Sequence, residues 1–185
     1  MTPRGNPAAG WQRLKGVDAA AEAEYAAYVE SQWPTLVRAA VFLGASVHDA
    51  EDIAQTTLVR CYAGWEKVAG ADNRDAYVYR MLLNCLRDIR RTAWWKRRAD
   101  MPVADAPVAD RSEAVATADA VHRALDGLTK PNRDVVVLRY FVQLSEAQTA
   151  AALGISPGTV KSRLSRSLAR LAADRHLLDL TGDAS

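Results

Sequence analysis

Apolar residues recur along this chain at intervals of three and four positions, which is the period of an amphipathic helix. Two runs illustrate the spacing: Leu36, Val37, Ala40, Val41 and Leu43, and then Val78, Met81, Leu82, Leu86 and Ile89. No run alternates apolar and polar residues over the length of a strand. The pattern therefore predicts an all-α fold.

Composition divides the chain into two small helical domains, which we call the first module (residues 18–98) and the second module (residues 117–175). Between them, residues 99–116 are acidic, contain Pro-Val-Ala-Asp twice and have little to bury, which is typical of a linker. At about 3.1 Å per residue, such a semi-extended tether spans on the order of 50 Å. The alternative is a loop that lies on one compact domain. Residues 1–17 are expected to be a disordered tail and residues 176–185 a C-terminal tail.

The formal net charge is only +2, from 24 basic and 22 acidic residues, but the charges are segregated along the chain. Basic residues cluster between Arg87 and Arg98 and again between Thr159 and Arg170, and the acidic linker region separates the two clusters. Two separate basic segments indicate two contacts with a polyanion such as nucleic acid.

The same composition argues against several other classes of protein. Cys61 and Cys85 lie outside any CxxC motif and have no histidine at ligand spacing, so neither a disulfide framework nor a metal site is expected. His48, His122 and His176 are scattered and accompany no nucleophile–base pair or phosphate loop, so neither an enzyme nor a cofactor is expected. No segment has the apolar length of a signal peptide or a membrane span, so we expect a cytoplasmic protein without a membrane partner.

The stretch LGISPGTVKSRLSR carries the signals of a helix-turn-helix. Just before it, Ser145 and Gln148 are spaced as a capping box, and Gly154 suits the left-handed position that ends a helix. Ser156 followed by Pro157 then predicts the start of a second helix.

This second helix has an apolar face and a basic face. The residues expected to face the core are Val160, Leu164, Leu168 and Leu171. The opposite side combines short hydroxyl side chains, which allow a helix to enter the major groove, with cations that bind guanine or phosphate. A merely solvated basic helix is the alternative. The predicted DNA-reading residues are Ser156, Thr159, Lys161, Ser162, Arg163, Ser165, Arg166 and Arg170.

In the first module, Asp49 and Asp52 lie at i and i+3 on one face of a predicted helix, and Gln55 continues that face. By themselves, carboxylates in a first helical turn also fit a simple interaction with the helix dipole. The spacing alone leaves both interpretations open.

The helix-turn-helix residues from Gly154 to Arg166, preceded by Leu138-Arg-Tyr-Phe141 and Leu144-Ser145, resemble region 4 of the extracytoplasmic-function (ECF) RNA polymerase sigma factors, in the sigma-70 superfamily. The first module resembles region 2 of that family through Asp49-Ala-Glu-Asp-Ile-Ala-Gln55 and the segment that begins at Ala76-Tyr-Val-Tyr-Arg80. The resemblance covers about residues 22 to 172, and its Tyr-Val-Tyr sequence is similar to that of actinobacterial members.

The resemblance implies an alternative-type sigma factor with no active site, which recruits core RNA polymerase and reads the −35 and −10 promoter elements. The β′ clamp of the polymerase would bind Asp49, Glu51, Asp52 and Gln55, and the β flap would be a further contact on the polymerase. The basic helix would read double-stranded −35 DNA. The family usually also has an anti-sigma partner, which no residue here identifies.

The melted −10 strand would bind a set of aromatic, amide and arginine side chains: Trp65, Asn73, Tyr77, Arg80, Asn84, Arg87, Arg90 and Arg91. Aromatic rings and cations of this kind suit an unstacked base and its phosphates. Ordinary core packing is the alternative for Trp65 and Tyr77.

The sequence departs from the family pattern at Thr56, where an acidic residue is usual, at Gln148, where Glu is common, and at Tyr77, where many members have Trp. A second hypothesis is a conventional helix-turn-helix regulator with an N-terminal ligand-sensing or dimerisation domain. This second hypothesis explains the second module equally well, but it assigns no function to the acidic helix.

Overall fold

The computed structural model describes residues 19–99 and 113–174, and within these ranges it contains helices and no strand, so the all-α prediction is confirmed. The helices are α1 (Ala19–Phe42), α2 (Val47–Ala63), α3 (Trp65–Ala69), α4 (Arg74–Ala99), α5 (Glu113–Asp126), α6 (Lys130–Val136), α7 (Glu146–Leu153) and α8 (Pro157–Ala172), and a π-helical turn (Val137–Phe141) continues α6. The predicted tails and most of the predicted linker lie outside the described residues. The linker prediction differs from the structure at its ends, because Ala99 closes α4 and α5 already begins at Glu113.

The first module is held together by α1, α2 and α4. Helix α2 begins at the N-cap Ser46, whose side chain accepts a hydrogen bond from the backbone N–H of Asp49 at 3.1 Å. Its buried side includes Ile53, Leu58 and Cys61, whose helical spacing forms one apolar stripe. This stripe packs between α1 and α4.

The two modules are in direct contact, which differs from the expectation of two modules held apart by a tether. One continuous cluster of buried residues includes Leu43 and Leu82 of the first module and Leu125 and Leu138 of the second. Helix α7 packs against α4, and the π-helical turn packs against α1. The physical reason is that each module has an apolar side that its own helices leave uncovered, and joining these sides removes both from water.

The contact continues at the rim of the interface through a pair of aromatic rings. The ring centroids of Phe42, at the end of α1, and Phe141, in the π-helical turn, are 4.2 Å apart. An extra residue in a helical turn redirects the side chains that follow it. We infer that the π-helical turn orients Phe141 toward the first module.

Beside these rings, an arginine of the second module lies against a glycine of the first. Arg133 donates from Nε to the Leu125 carbonyl (3.0 Å) and pairs with Asp126, so its guanidinium is held in place by its own module. Gly44 follows α1 with a φ of +92°, and a Cβ built there would lie 2.5 Å from Arg133 Nη1. Only a residue without a side chain leaves this space open.

We therefore expect Gly44→Ala to lower the free energy of unfolding by about 1–3 kcal/mol, because it combines backbone strain with a clash against a guanidinium that cannot easily move. The control is Gly158→Ala in the first turn of α8, where a Cβ meets nothing within 4 Å. Alanine there should be neutral or stabilise by about 0.5–1 kcal/mol. Urea denaturation of both variants measures the difference, and equal stability would contradict the close approach of Arg133.

Candidate nucleic-acid interface

The helix-turn-helix predicted from the sequence is present in the second module. Ser145 and Gln148 form the reciprocal capping box that starts α7, with the Gln148 backbone N–H donating to Ser145 Oγ (3.1 Å) and the Ser145 N–H donating to Gln148 Oε1 (2.7 Å). Gly154 ends the helix in the left-handed region, at φ 66° and ψ 37°. Ser156 then caps α8, with Pro157 in its first turn. These predictions are confirmed.

The apolar side of α8 is buried less completely than its sequence indicates. Val160 is fully buried, but Leu164 and Leu171 are only half-buried. Leu168 is exposed over 36 % of its surface. Ser167 is buried instead and satisfies its hydroxyl by donating to the Arg163 carbonyl at 2.7 Å. The prediction that Leu168 is a core residue is therefore wrong, because the neighbouring helices bury Ser167 beside it and leave Leu168 partly uncovered.

The opposite side of α8 is basic and open. Lys161, Ser162, Ser165, Arg166 and Arg170 are exposed, whereas Thr159 and Arg163 at its edges are half-buried. The helix itself contains no acidic residue. These positive charges are therefore available to a polyanion.

Local hydrogen bonds hold several side chains of this basic face in position. The Ser156 and Thr159 hydroxyls lie 2.8 Å apart, and Ser162 Oγ donates to the Thr159 carbonyl at 3.1 Å. Arg166 donates from Nε to the Ser162 carbonyl at 3.1 Å, which anchors the guanidinium near its root. An arginine positioned in this way can present its two terminal nitrogens to an acceptor pair.

A second polar surface lies along α4. Tyr77, Arg80, Asn84, Arg87 and Arg91 follow one another at spacings of three and four, and all five are exposed. At 1.5 Å per residue, the stripe is about 21 Å long. Arg87 Nη1 donates to Asn84 Oδ1 at 2.8 Å, so the two polar side chains at its centre support each other.

Asn73 lies at the start of this stripe and has a structural contact of its own. Its Oδ1 accepts a hydrogen bond from the Ala76 backbone N–H at 3.3 Å, and its carbonyl accepts from the Tyr77 N–H at 3.1 Å. Asn73 therefore caps α4. Its side chain is half-buried, so the amide remains partly accessible beside Tyr77.

The structure places Trp65 in the core, in disagreement with the prediction that it stacks on a −10 base. Only 4 % of the residue is exposed. Tyr25 meets the indole edge-to-face with ring centroids 5.2 Å apart, Tyr28 lies at 5.3 Å, and the Arg74 guanidinium sits 5.3 Å from the ring centroid. These neighbours cover the ring, so the core-packing alternative holds for Trp65, whereas Tyr77 keeps 42 % of its surface exposed.

Arg90 is also placed differently from its prediction as a phosphate contact. It lies off the α4 stripe and donates from Nη2 to the carbonyls of Leu43 (2.6 Å) and Gly44 (3.1 Å). Burial lowers the pKa of Arg90, the nearby Asp134 raises it and Arg133 lowers it further. The side chain therefore ties α4 to the α1–α2 connection and is engaged there.

The acidic helix α2 presents its predicted residues to solvent with one exception. Glu51, Asp52 and Gln55 are exposed, while the half-buried Asp49 accepts a hydrogen bond from the Ser46 hydroxyl at 2.8 Å and thus takes part in the N-cap. The same exposed side carries Val59, which retains 60 % of its surface. Sequence reasoning missed this valine, although its position four residues after Gln55 is the signal that places both on one face.

An apolar groove of about 210 Å³ runs between α5, the π-helical turn and α8. Its lining includes Val121, Leu125, Tyr140 and Leu168, and the last two are among the exposed large apolar residues. An exposed apolar groove is a typical contact site for another protein.

Within residues 19–99 and 113–174, no group of His, Cys, Asp and Glu side chains is arranged to hold a metal ion. Cys61 and Cys85 are buried free thiols, and burial, with the neighbouring Cys85 thiol, raises the pKa of Cys61 to about 12. No helix in the same ranges combines the length and apolar character that crossing a bilayer requires.

Comparison with known protein families places two models on the chain. The model described as "Sigma-70 region 2" matches residues 29–96, and the model described as "Sigma-70, region 4" matches residues 118–171. The two matches fall on the first and second modules, in that order.

Individual relatives agree with these matches. The chain is 40 % identical over 166 residues to the RNA polymerase sigma-E factor of Streptomyces avermitilis, covering 87 % of this chain and 90 % of the relative. It is 38 % identical over 143 residues to the ECF RNA polymerase sigma factor SigM of Mycobacterium tuberculosis, covering 74 % and 69 %.

Two solved structures are similar in fold. CnrH in complex with the cytosolic domain of CnrY matches with a TM-score of 0.62 and 26 % identity, over 91 % of this chain and 94 % of CnrH. The sigma factor RpoE of Bartonella quintana, in complex with the anti-sigma factor NepR, matches with a TM-score of 0.65 and 24 % identity, over 80 % and 94 %.

The placement of the two aromatic residues generates a stability prediction. We expect Trp65→Ala to lower the free energy of unfolding by about 3–5 kcal/mol, since it removes a large buried side chain. Tyr77→Ala, on the exposed stripe of the same module, should change it by no more than about 0.5 kcal/mol. Urea denaturation measures both, and a small effect at Trp65 would contradict its core position.

Proposed function

The chain belongs to the extracytoplasmic-function sigma factors of the sigma-70 family, and from this premise we propose a role for each of its exposed surfaces. It is an alternative sigma factor that directs transcription initiation. The conventional helix-turn-helix regulator is not favoured, because the first module matches region 2 in its own right.

The observation that best supports a DNA-reading role is the open basic side of α8, on the second helix of a well-capped helix-turn-helix. In our proposal this side enters the major groove at the −35 element. Arg166, anchored through Nε, contacts a base, while Lys161 and Arg170 contact phosphates. The short side chains of Ser162 and Ser165 allow close approach.

The stripe on α4 is our proposed surface for the melted −10 strand. Tyr77 is the exposed ring on which a base can stack, and Asn73 and Asn84 supply amide groups beside it. Arg80, Arg87 and Arg91 face the phosphates. Trp65 and Arg90 are left out of this surface because their side chains are engaged elsewhere.

We propose that core polymerase binds at two places. The exposed side of α2, with Glu51, Asp52, Gln55 and the apolar Val59, offers charge and an apolar contact to the β′ clamp. The apolar groove between α5, the π-helical turn and α8 suits an apolar segment of the β flap.

Reading both elements at once requires the modules to separate. Helix α7 packs on both α4 and α8, so at 8–10 Å per helix contact the axes of α4 and α8 lie at most about 20 Å apart where α7 joins them. Elements named −35 and −10 are about 25 base pairs apart, on the order of 85 Å at about 3.4 Å per pair. We therefore propose that the structure is a closed form, which opens on the polymerase.

A protein regulator is a further partner in this proposal. CnrH, which is similar to the chain over most of its length, has been captured with the cytosolic domain of CnrY. We propose by analogy that a protein of the anti-sigma class binds this chain, and that the complex forms in the cytoplasm, where the polymerase acts.

Transcription with purified components tests the function and the α2 surface together. The chain added to core polymerase should produce transcripts from a matching promoter that core polymerase alone does not produce. Asp52→Ala should raise the Kd for core polymerase roughly tenfold, the loss of about 1.4 kcal/mol expected for a residue at the centre of an interface.

The charge-matched control is Asp119→Ala, an exposed acid of the second module, which should leave the Kd unchanged. Both variants should bind −35 DNA as the unmodified chain does. Transcripts no different from those of core polymerase alone would overturn the function, and an unchanged Kd for Asp52→Ala would overturn only the clamp assignment.

A second prediction separates base contacts from phosphate contacts on α8. Arg166→Ala should cost about 1–3 kcal/mol at one base pair of the −35 element and relax the preference at that position. Lys161→Ala should instead weaken binding to all sequences and reduce its salt dependence. Affinities for a set of single-base variants give the answer, and a uniform loss for Arg166→Ala would make it a phosphate contact.

A further inference from the structure

A polar cavity of about 370 Å³ lies where the two modules meet, and neither DNA surface nor polymerase surface accounts for it. The first module contributes Gln32 and Arg38 from α1 and Asp75 and Tyr79 from α4. The second module closes it with residues 141–144, between the π-helical turn and α7. The cavity therefore exists only while the modules are in contact.

Tyr79 is the most deeply buried polar residue among those that line this cavity. Only 2 % of the residue is exposed, and its hydroxyl has no hydrogen-bond partner in the described part of the chain. Burial raises the pKa of Tyr79, Asp75 raises it further and Arg38 lowers it. Both charged residues line the same cavity. A buried hydroxyl without a partner costs stability, and a bound molecule that accepts its hydrogen bond recovers that cost.

The opposite wall of the cavity combines an apolar surface with backbone strain. Phe141 lies on this wall, and Gln143 on the same segment has a φ of 64°. It is the only non-glycine residue with a positive φ in the ranges that the structure describes. Strained backbone persists where surrounding contacts hold it and is frequent next to binding sites.

The charges of the lining restrict the chemistry of a ligand. A simple anion would bind Arg38 but meet Asp75, and a simple cation would bind Asp75 but meet Arg38. A molecule that carries both charges close together satisfies both groups. The volume is at the lower end of the range for small-molecule sites, which favours a small ligand.

We propose that this cavity is a binding site for a free α-amino acid. The carboxylate accepts hydrogen bonds from Arg38 and the Tyr79 hydroxyl, the ammonium group pairs with Asp75, and the side chain packs toward Phe141. The amide of Gln143 lies at the rim of the site on the second module. The ligand contacts both modules at once.

Such a ligand stabilises the closed form, because it binds a site that opening destroys. This consequence rests on the proposed function, in which the open form engages polymerase and promoter. The binding site itself does not, since it can be measured without either partner.

Thermal unfolding of the full chain with each of the twenty common L-amino acids tests the site. At a few-fold above its Kd, the matching amino acid should raise the Tm by about 2–4 °C. Its N-acetyl and its carboxamide derivatives, each lacking one of the two charges, should give no rise. Tyr79→Phe removes only the unpartnered hydroxyl, so it should fold with an unchanged or higher Tm and lose most of the response.

The matched control is Tyr77→Phe, on the same helix but outside the cavity, which should keep the full response. Arg38→Gln should also lose the response. If no amino acid raises the Tm, or if Tyr79→Phe responds as the unmodified chain does, the site is wrong. If the Tm rises but transcription with core polymerase is unaffected by the ligand, the site stands and its effect on opening is overturned.

Discussion

Burial of one side of α4 is the constraint on which the rest of the structure depends. Val78, Leu82 and Leu86 of this helix are almost completely buried in a core that extends into both modules. With 3.6 residues per turn, burying that side directs the opposite side outward, so the aromatic, amide and arginine stripe is exposed as a consequence of packing. The same packing brings α7 onto α4 and thereby positions the helix-turn-helix of the second module.

If the modules separate on the polymerase as proposed, the apolar surface between them has two incompatible uses. In the closed form, Phe42 packs against Phe141 of the second module, and Arg133 of that module occupies the space over Gly44. In an open form on the polymerase, these groups require new partners or exposure to water, which costs about 25 cal/mol for each Å² of apolar surface. The equilibrium between the closed and open forms therefore depends on the contacts that the polymerase makes with these apolar groups. A molecule that binds only at the closed interface shifts the same equilibrium in the opposite direction.

The candidate surfaces differ in how far they follow from sequence. The caps of α7 and α8 are local interactions over three residues, so Ser145, Gln148 and Ser156 were predictable from spacing alone. Trp65 and Arg90 were not, because their side chains bind groups that lie far away in the chain, at Tyr25 and Tyr28 for the indole and at Leu43 and Gly44 for the guanidinium. Spacing along one helix does not reveal what an adjacent helix places beside it.

By itself, the sequence determined the all-α class, the capping signals of the helix-turn-helix and the segregation of charge, since these depend on local propensity, capping and periodicity. Its resemblance to a known family identified the first module with region 2 and the second module with region 4. Only the tertiary structure decided that the modules share a core, that Leu168 and Val59 are exposed, and that a polar cavity lined by Tyr79 lies where the modules meet. These features arise from contacts between segments that are distant in the chain. The apolar pattern of a helix indicates which side is buried, but it does not indicate which other segment covers that side.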